Sequence, residues 1–397
     1  MNEAVIDANK YTDGKVADNT DYIKPYIYVL VLASVCIILG FVWDISWHMS
    51  IGRDRFLTPP HIIIYIGAIV AAIVSGYQVL QRSFFGTAAQ KAASVKFWGI
   101  FYAPFGGLFC IWGAFAMLTS SPFDNWWHNT FGLDQKIFSP PHVLLISGMI
   151  AIQLGTYISV VAAVSDKTFN TKINRKHNWL LAIAAGSLLA TLFTLFSELL
   201  PTSHMHNLWF YILTSTIFPV FLFAFSRASK SRWGATTAAA VYMGELLFML
   251  WLLPLFHAKP QLGPVFNHFD HFQPFRFPLL LVLPAIPVDV ILNMRDNVKP
   301  LLKILLASLT FLVVFFVAQW YFGEFYLTSV YARGWVLASY SLNYGINPNS
   351  VYRYAFNPLV VTYGKHLVVG LGIAGFCAII SGMAGYYWGN WIKKVKR

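Results

Sequence analysis

The chain has 397 residues, of which 57% are hydrophobic, 17% aromatic and only 11% charged, with a mean hydropathy of +0.58 and a formal net charge of +12. Uninterrupted apolar runs of about 20 residues recur along its whole length, which excludes a soluble or disordered protein and implies a polytopic helical membrane protein. The ten-residue alternating segments of a transmembrane barrel are absent, and Cys36, Cys110 and Cys377 all fall inside apolar runs, where they predict packing residues rather than a disulfide framework or a Cys-x-x-Cys site.

Residues 1–24 are polar, mixed in charge and poor in apolar groups, so they are expected to form a flexible cytoplasmic tail without a cleavable signal. Residues 25–397 are expected to form one all-α transmembrane domain. Spans are placed at 26–47, 60–81, 97–119, 141–164, 178–199, 207–226, 236–256, 277–293, 300–322 and 366–390, ten in all. The eighth is short and carries Pro278, Pro284 and Pro287, which makes it the span most open to kinking or misplacement. With the N-terminus inside, 20 of the 28 Lys and Arg residues lie in inner segments, so the positive-inside rule puts both termini in the cytoplasm. The net charge is then a topology signal, and no nucleic-acid partner is implied.

The first span runs into WDISWHMSIGRDRFLTPPH, residues 43–61, where polar groups gather at a membrane boundary. Asp44 and His48 are four residues apart, which on a helix puts a carboxylate and an imidazole on one face. Pro59 and Pro60 can open a helix because its first N–H groups need no partner, so His61 heads the next span and faces back toward the loop. Asp-x3-His-x12-His thus gathers three ligands for one ion. Eighty residues on, Asp124, Trp127, His128, Gly132 and Asp134 repeat Asp44, Trp47, His48, Gly52 and Asp54, and Pro141 and His142 repeat Pro60 and His61 at an offset of 81. Such agreement predicts an internal repeat of helix hairpins, with units at about 26–81 and 97–164 related by an axis along the membrane normal. Asp124, His128 and His142 then form a second ligand set.

Of eleven histidines only His177 maps to the cytoplasmic side, whereas interfacial histidines without a common role would scatter to both. Imidazole and carboxylate ligands without thiolate suit copper, zinc or iron. Glu198, His204 and His206, at the outer end of the fifth span, can supply further ligands. Glu245 sits in mid-span, as a proton relay or ligand partner on one reading and as a protonated, hydrogen-bonded packing residue on the other. Asp289, near the inner end of span eight, is expected to pair with Lys or Arg. The outer segment 321–366, rich in Tyr, Phe, Trp and Asn, reads either as an aromatic cap over the outer site or as an anchor at the membrane surface.

The stretch WDISWHMSIGRDRFLTPPHIIIY resembles the C subunit of the copper membrane monooxygenases, the particulate methane and ammonia monooxygenases, in its Asp-x3-His-x12-His spacing, its Arg-Asp and its Thr-Pro-x-His. The match covers some 25 residues, or twice that with the repeat, and this chain departs from the family in carrying the motif twice and in having thirteen residues between His128 and His142. The resemblance implies copper at Asp44, His48 and His61 and, through the repeat, at Asp124, His128 and His142, with Asp54 and Asp134 orienting ligands or Arg53. The family's Asn-x3-His pair for a neighbouring copper is matched on the outer face by Asn267 and His271. The implied function is a copper-dependent membrane oxidase of the bacterial inner membrane. It would activate oxygen at the periplasmic face on a small apolar substrate from the bilayer, with electrons from a quinol or a protein donor and with partner membrane subunits. The alternative is a non-catalytic protein that binds copper or zinc for delivery, sensing or transport.

Overall fold

The computed structural model describes residues 22–52, 57–132, 138–163, 171–295 and 297–395. The tail expected at 1–24 falls almost wholly outside these residues, and Asp54 and Asp134 lie outside them as well. The protein is a helical bundle of α1 (Pro25–Ser50), α2 (Pro59–Phe84), α3 (Ala88–Ala92), α4 (Phe105–Phe131), α5 (Pro140–Ala162), α6 (Thr171–Phe196), α7 (Leu208–Ala228), α8 (Gly234–Leu252), α9 (Val282–Leu292), α10 (Pro300–Thr328) and α11 (Gly364–Ile392). Among the described residues, nine helices are long and apolar enough to cross a membrane.

Two expectations change. Span eight becomes α9, eleven residues long, which at 1.5 Å per residue reaches about 16 Å, half the thickness of a bilayer core. Its prolines explain the shortening, since Pro284 and Pro287 cannot donate to the helical ladder and residues before Val282 run on without helix. Span three begins at Phe105 rather than at 97, because a β-hairpin of β1 (Val95–Phe97) and β2 (Phe101–Ala103) precedes it. Trp98 and Gly99 turn that hairpin with φ of 48° and 74°, and Phe97 stacks on Phe101 across it.

Within the bundle α1 packs on α2, α4 on α5, and α7 on α11, while α6 is buried between α1, α5 and α8. Glycines let α4 and α5 approach backbone to backbone. A Cβ on Gly113 would stand 2.6 Å from the Gly148 carbonyl oxygen, and one on Gly106 would stand 2.4 Å from that of Gly155. Gly40 likewise meets Ile64 of α2, so these positions serve helix contact and do not widen a cavity. Glu245 accepts a 2.7 Å hydrogen bond from the Ser187 hydroxyl and ties α8 to α6, which matches the packing reading. Asp289 accepts from the Ala235 and Thr236 main-chain N–H groups and from the Thr236 hydroxyl, so it caps the positive start of α8 instead of pairing with a basic side chain. The three cysteines are free.

The helix ends sort into two groups. Lys24, Arg82, Phe105, Ala162 and Val395 border one cleft, so the start of α1 and the end of the described chain lie at the same end of the bundle. The end of α1, the start of α2, the end of α4, the start of α5 and the exit of α6 meet at another, around a shared cavity.

Candidate metal centre

Each hairpin builds its ligand set with the same local devices. In the first, α1 continues past Asp44 and His48 to Ser50, and Gly52, with φ of 72°, turns the chain away. Thr58 is extended, and its carbonyl accepts the Ile62 N–H at 3.0 Å as α2 opens on Pro59 and Pro60. His61 occupies the first turn of α2 and puts Nε2 3.2 Å from Asp44 Oδ1, while His48 Nε2 lies 3.8 Å from Asp44 Oδ2. One carboxylate therefore faces both rings, one with each oxygen.

The second hairpin repeats the arrangement. Asp124 Oδ2 and Oδ1 lie 3.3 Å and 3.4 Å from Nε2 of His128 and His142. Ser139 is extended and its carbonyl accepts the Val143 N–H as α5 opens on Pro140 and Pro141. Gly132, with φ of 89°, ends α4 and brings its own carbonyl to 3.2 Å from His128 Nδ1. A carbonyl can only accept, so Nδ1 donates to it, which leaves Nε2 as the nitrogen that faces Asp124 and the one that would ligate an ion held between them.

The donor chemistry fits a transition metal. Ligands held tetrahedrally at about 2.0–2.1 Å from an ion stand about 3.3 Å from one another. The two Asp124 separations match that edge, and one donor atom from each of Asp124, His128 and His142 falls within 4.8 Å of the others. Asp44, His48 and His61 are not gathered in that way: each ring lies within 3.8 Å of an Asp44 oxygen, but the three do not offer donor atoms that all approach one another within 4.8 Å.

Both sets open on the same space. Asp44, His48, His61, Asp124 and His142 line one cavity of about 440 Å³, and His128 stands behind Asp124 without lining it. Asp44 and His142 are close enough to interact electrostatically, so the hairpins face each other across it. Tyr65, one turn beyond His61, accepts a 2.8 Å hydrogen bond from Ser121 of α4 and links the two hairpins at the wall. Toward the bundle interior the lining is apolar, with Phe41, Ile45, Ile64, Leu145 and Ile146. Above the ligands the outer segment folds over as a roof, contributing Asn343, Ile346, Arg353 and Tyr354, which favours its reading as a cap. Arg353 Nη2 donates to the Tyr340 carbonyl at 2.6 Å, holding that roof together.

The remaining predicted residues part company. Glu198 lines the cavity beside Arg276, whose Nη1 donates to the Ser197 carbonyl at 2.5 Å and whose guanidinium burial pulls below its ordinary pKa. His204 and His206 do not line it. His206 lies flat between Trp320 and Phe356, with ring centroids 3.8 Å away on each side and Nε2 3.2 Å from the Trp320 carbonyl. It is a packing histidine, and burial lowers its pKa against the opposing pull of that carbonyl and of Glu324. Asn267 gives its amide N–H to the Leu342 carbonyl and its main-chain N–H to Tyr344, so it ties the roof to the loop and is not paired with His271. His271 instead meets His257 and Asp270, whose carboxyl the His271 hydrogen bond holds below the usual range.

Sequence reading missed Tyr65, Ser121, Arg276 and Arg353 as cavity residues. Only the two arginines carried a signal, as charges in outer loops. Comparison with protein-family models, with curated proteins and with solved structures finds no match to this chain.

Proposed function

We propose that this protein is a membrane metalloprotein whose two Asp-His-His sets hold transition-metal ions at one shared cavity, and that it acts there as a copper-dependent oxidase on a small apolar substrate. The observation that carries this reading is the convergence of ligands from two separate hairpins on one space with an apolar inner wall. Its volume of about 440 Å³ lies within the range of small-molecule sites. The resemblance of residues 43–65 to the monooxygenase C subunit supports copper as the metal.

Bound copper would supply one-electron chemistry and oxygen activation. The chain's own residues do the rest. Gly132 fixes the tautomer of His128, Asp44 and Asp124 each present one carboxylate to two rings, and the Tyr65–Ser121 pair holds a proton at the cavity wall beside His61. The apolar side chains below the ligands admit an apolar substrate, and the roof restricts water. A quinol or protein donor would provide electrons. The sites would face the periplasm from the bacterial inner membrane.

The test is metal content and oxygen uptake of the purified protein loaded with copper, given a quinol and a short alkane or alcohol. Substrate-dependent oxygen uptake that disappears in His128→Ala/His142→Ala supports the oxidase. Bound metal without such uptake leaves the metal-handling reading. Sidedness is read by an impermeant thiol reagent in a cysteine-free background. Lys259→Cys should label from outside and Ser231→Cys should not, and the reverse would move the sites to the cytoplasm.

A further inference from the structure

Outside the cavity, a second group of ligating side chains meets on the outer loop between α8 and α9. His257 and His271 face each other in an isolated antiparallel β-bridge, a pairing that puts two residues fourteen apart in sequence side by side. Flanking main-chain bonds set the register, Ala258 N–H to the Asp270 carbonyl at 2.9 Å and Phe272 N–H to the Phe256 carbonyl at 3.1 Å. The two imidazole centroids are 4.5 Å apart with planes inclined by 37°.

Asp270 orients both rings. Its carbonyl lies 3.2 Å from His257 Nδ1 and its carboxylate Oδ1 lies 2.7 Å from His271 Nδ1. Both oxygens can only accept, so each Nδ1 donates, and in the neutral ring Nε2 is the nitrogen left with a lone pair. A histidine whose far nitrogen is held by a carbonyl or carboxylate is the form that binds a metal ion. One donor atom from each of His257, Asp270 and His271 lies within 4.8 Å of the others. His257 and Asp270 are exposed and His271 is half-buried, so water and ions reach the group without entering the cavity.

Position adds a second consideration. Two residues beyond His271, Gln273 is bonded through its main chain to both Ser46 and Ser50 of α1, its carbonyl accepting from the Ser46 hydroxyl at 2.7 Å and its N–H donating to the Ser50 hydroxyl at 2.8 Å. Phe272 packs on Trp47, with centroids 5.9 Å apart. The β-bridge is thus anchored on the helical turn that carries His48. From this geometry we infer that His257 and His271, oriented by Asp270 and completed by solvent, form a separate, solvent-exposed site for one divalent transition-metal ion of the zinc or copper(II) class at the rim of the cavity. It stands on its own residues and does not depend on metal in the cavity.

The experiment uses the full chain, stripped with a chelator and titrated with zinc against a chromophoric competitor. Wild type should show one zinc equivalent that a membrane-impermeant chelator removes at once. His257→Ala/His271→Ala should lose that equivalent, and the quadruple change of His48, His61, His128 and His142 to Ala should retain it. Asp270→Asn keeps both imidazoles and loses the carboxylate that orients one of them, so it should keep the equivalent at about 10- to 100-fold weaker affinity. An unchanged thermal transition in Asp270→Asn separates that loss from unfolding. Retention of the rapidly removed zinc in His257→Ala/His271→Ala, or its absence from wild type, overturns the inference. Loss of the rapidly removed zinc only in the quadruple variant overturns it as well, since that ion would then sit in the cavity.

Discussion

The two hairpins carry the same ligands on the same helix ends, yet their surroundings differ. The first is clamped from above. Gln273 bonds to Ser46 and Ser50, Tyr344 N–H donates to the Met49 carbonyl, Gln261 N–H donates to the Ile51 carbonyl, and Gly52 lies against the Tyr344 ring. The second has no such clamp among the described residues. Nothing among them stands within 4 Å of a Cβ placed on Gly132, and Phe123, Trp126, Trp127 and Phe131 form an aromatic cluster at the surface. The open set has the tighter ligand geometry, and the clamped set has His48 held off at 3.8 Å. Enclosure and ligand closure are therefore separate properties: the i, i+4 pair sets up the ligands, and contacts from distant loops decide what covers them.

Ligand removal should split the two sites most sharply. His128→Ala/His142→Ala should lower affinity at the open site by more than about 100-fold, since it removes ligands outright where loss of an orienting partner alone costs 10- to 100-fold. His48→Ala/His61→Ala should do the same at the clamped site, and elemental analysis should show one equivalent lost in each pair. Equal stoichiometry in wild type and both variants would break the comparison.

The turn glycines should separate next. Gly132→Ala meets no side chain among the described residues, and its cost of about 1–3 kcal/mol comes from a backbone at φ 89° and ψ 172° that glycine alone adopts readily. Gly52→Ala meets a positive-φ penalty and also the Tyr344 ring, with Cζ 2.5 Å from the new Cβ, so it should lower the thermal transition in detergent by more. If the two lower it equally, the roof does not clamp the first hairpin.

Smaller effects should follow from loosening the roof. Ser46→Ala/Ser50→Ala removes two hydrogen bonds at about 1 kcal/mol each and should speed metal release from the first site while leaving the second unchanged. Acidification should act in the same direction through His206, which Phe356 of the roof stacks upon. Its folded-state pKa is held below the ordinary 6.5, so its contribution to stability is full above pH 6.5 and falls away as pH drops from there through the folded value. A thermal-transition profile against pH should therefore slope downward below 6.5 in wild type, and His206→Phe should flatten that part of the slope.

Much of this was legible in the residues. Asp44, His48 and His61 converge because the helical repeat puts i and i+4 on one face and because paired prolines start the next helix at His61, both of which are local effects. Nine of the ten expected spans appear as helices long and apolar enough to cross a membrane for the same reason: a run of about 20 apolar residues needs no distant partner to declare itself. The eighth expected span is helical only over Val282–Leu292, and the third starts later than expected because Trp98 and Gly99 turn a β-hairpin ahead of it.

What no spacing could show is which distant pieces meet. His257 and His271 pair because two extended strands happen to align, His206 is taken from the ligand pool by the rings of Trp320 and Phe356, and Asn267 is spent on the roof. The two Asp-His-His sets share one cavity only because α2 packs on α4, so that Tyr65 reaches Ser121. Sequence by itself determined the helices and the ligands at their ends, since backbone periodicity and proline act within a few residues. Tertiary structure alone decided which ligands face each other and what covers them, because contacts between segments far apart in the chain depend on the shapes of whole packed helices.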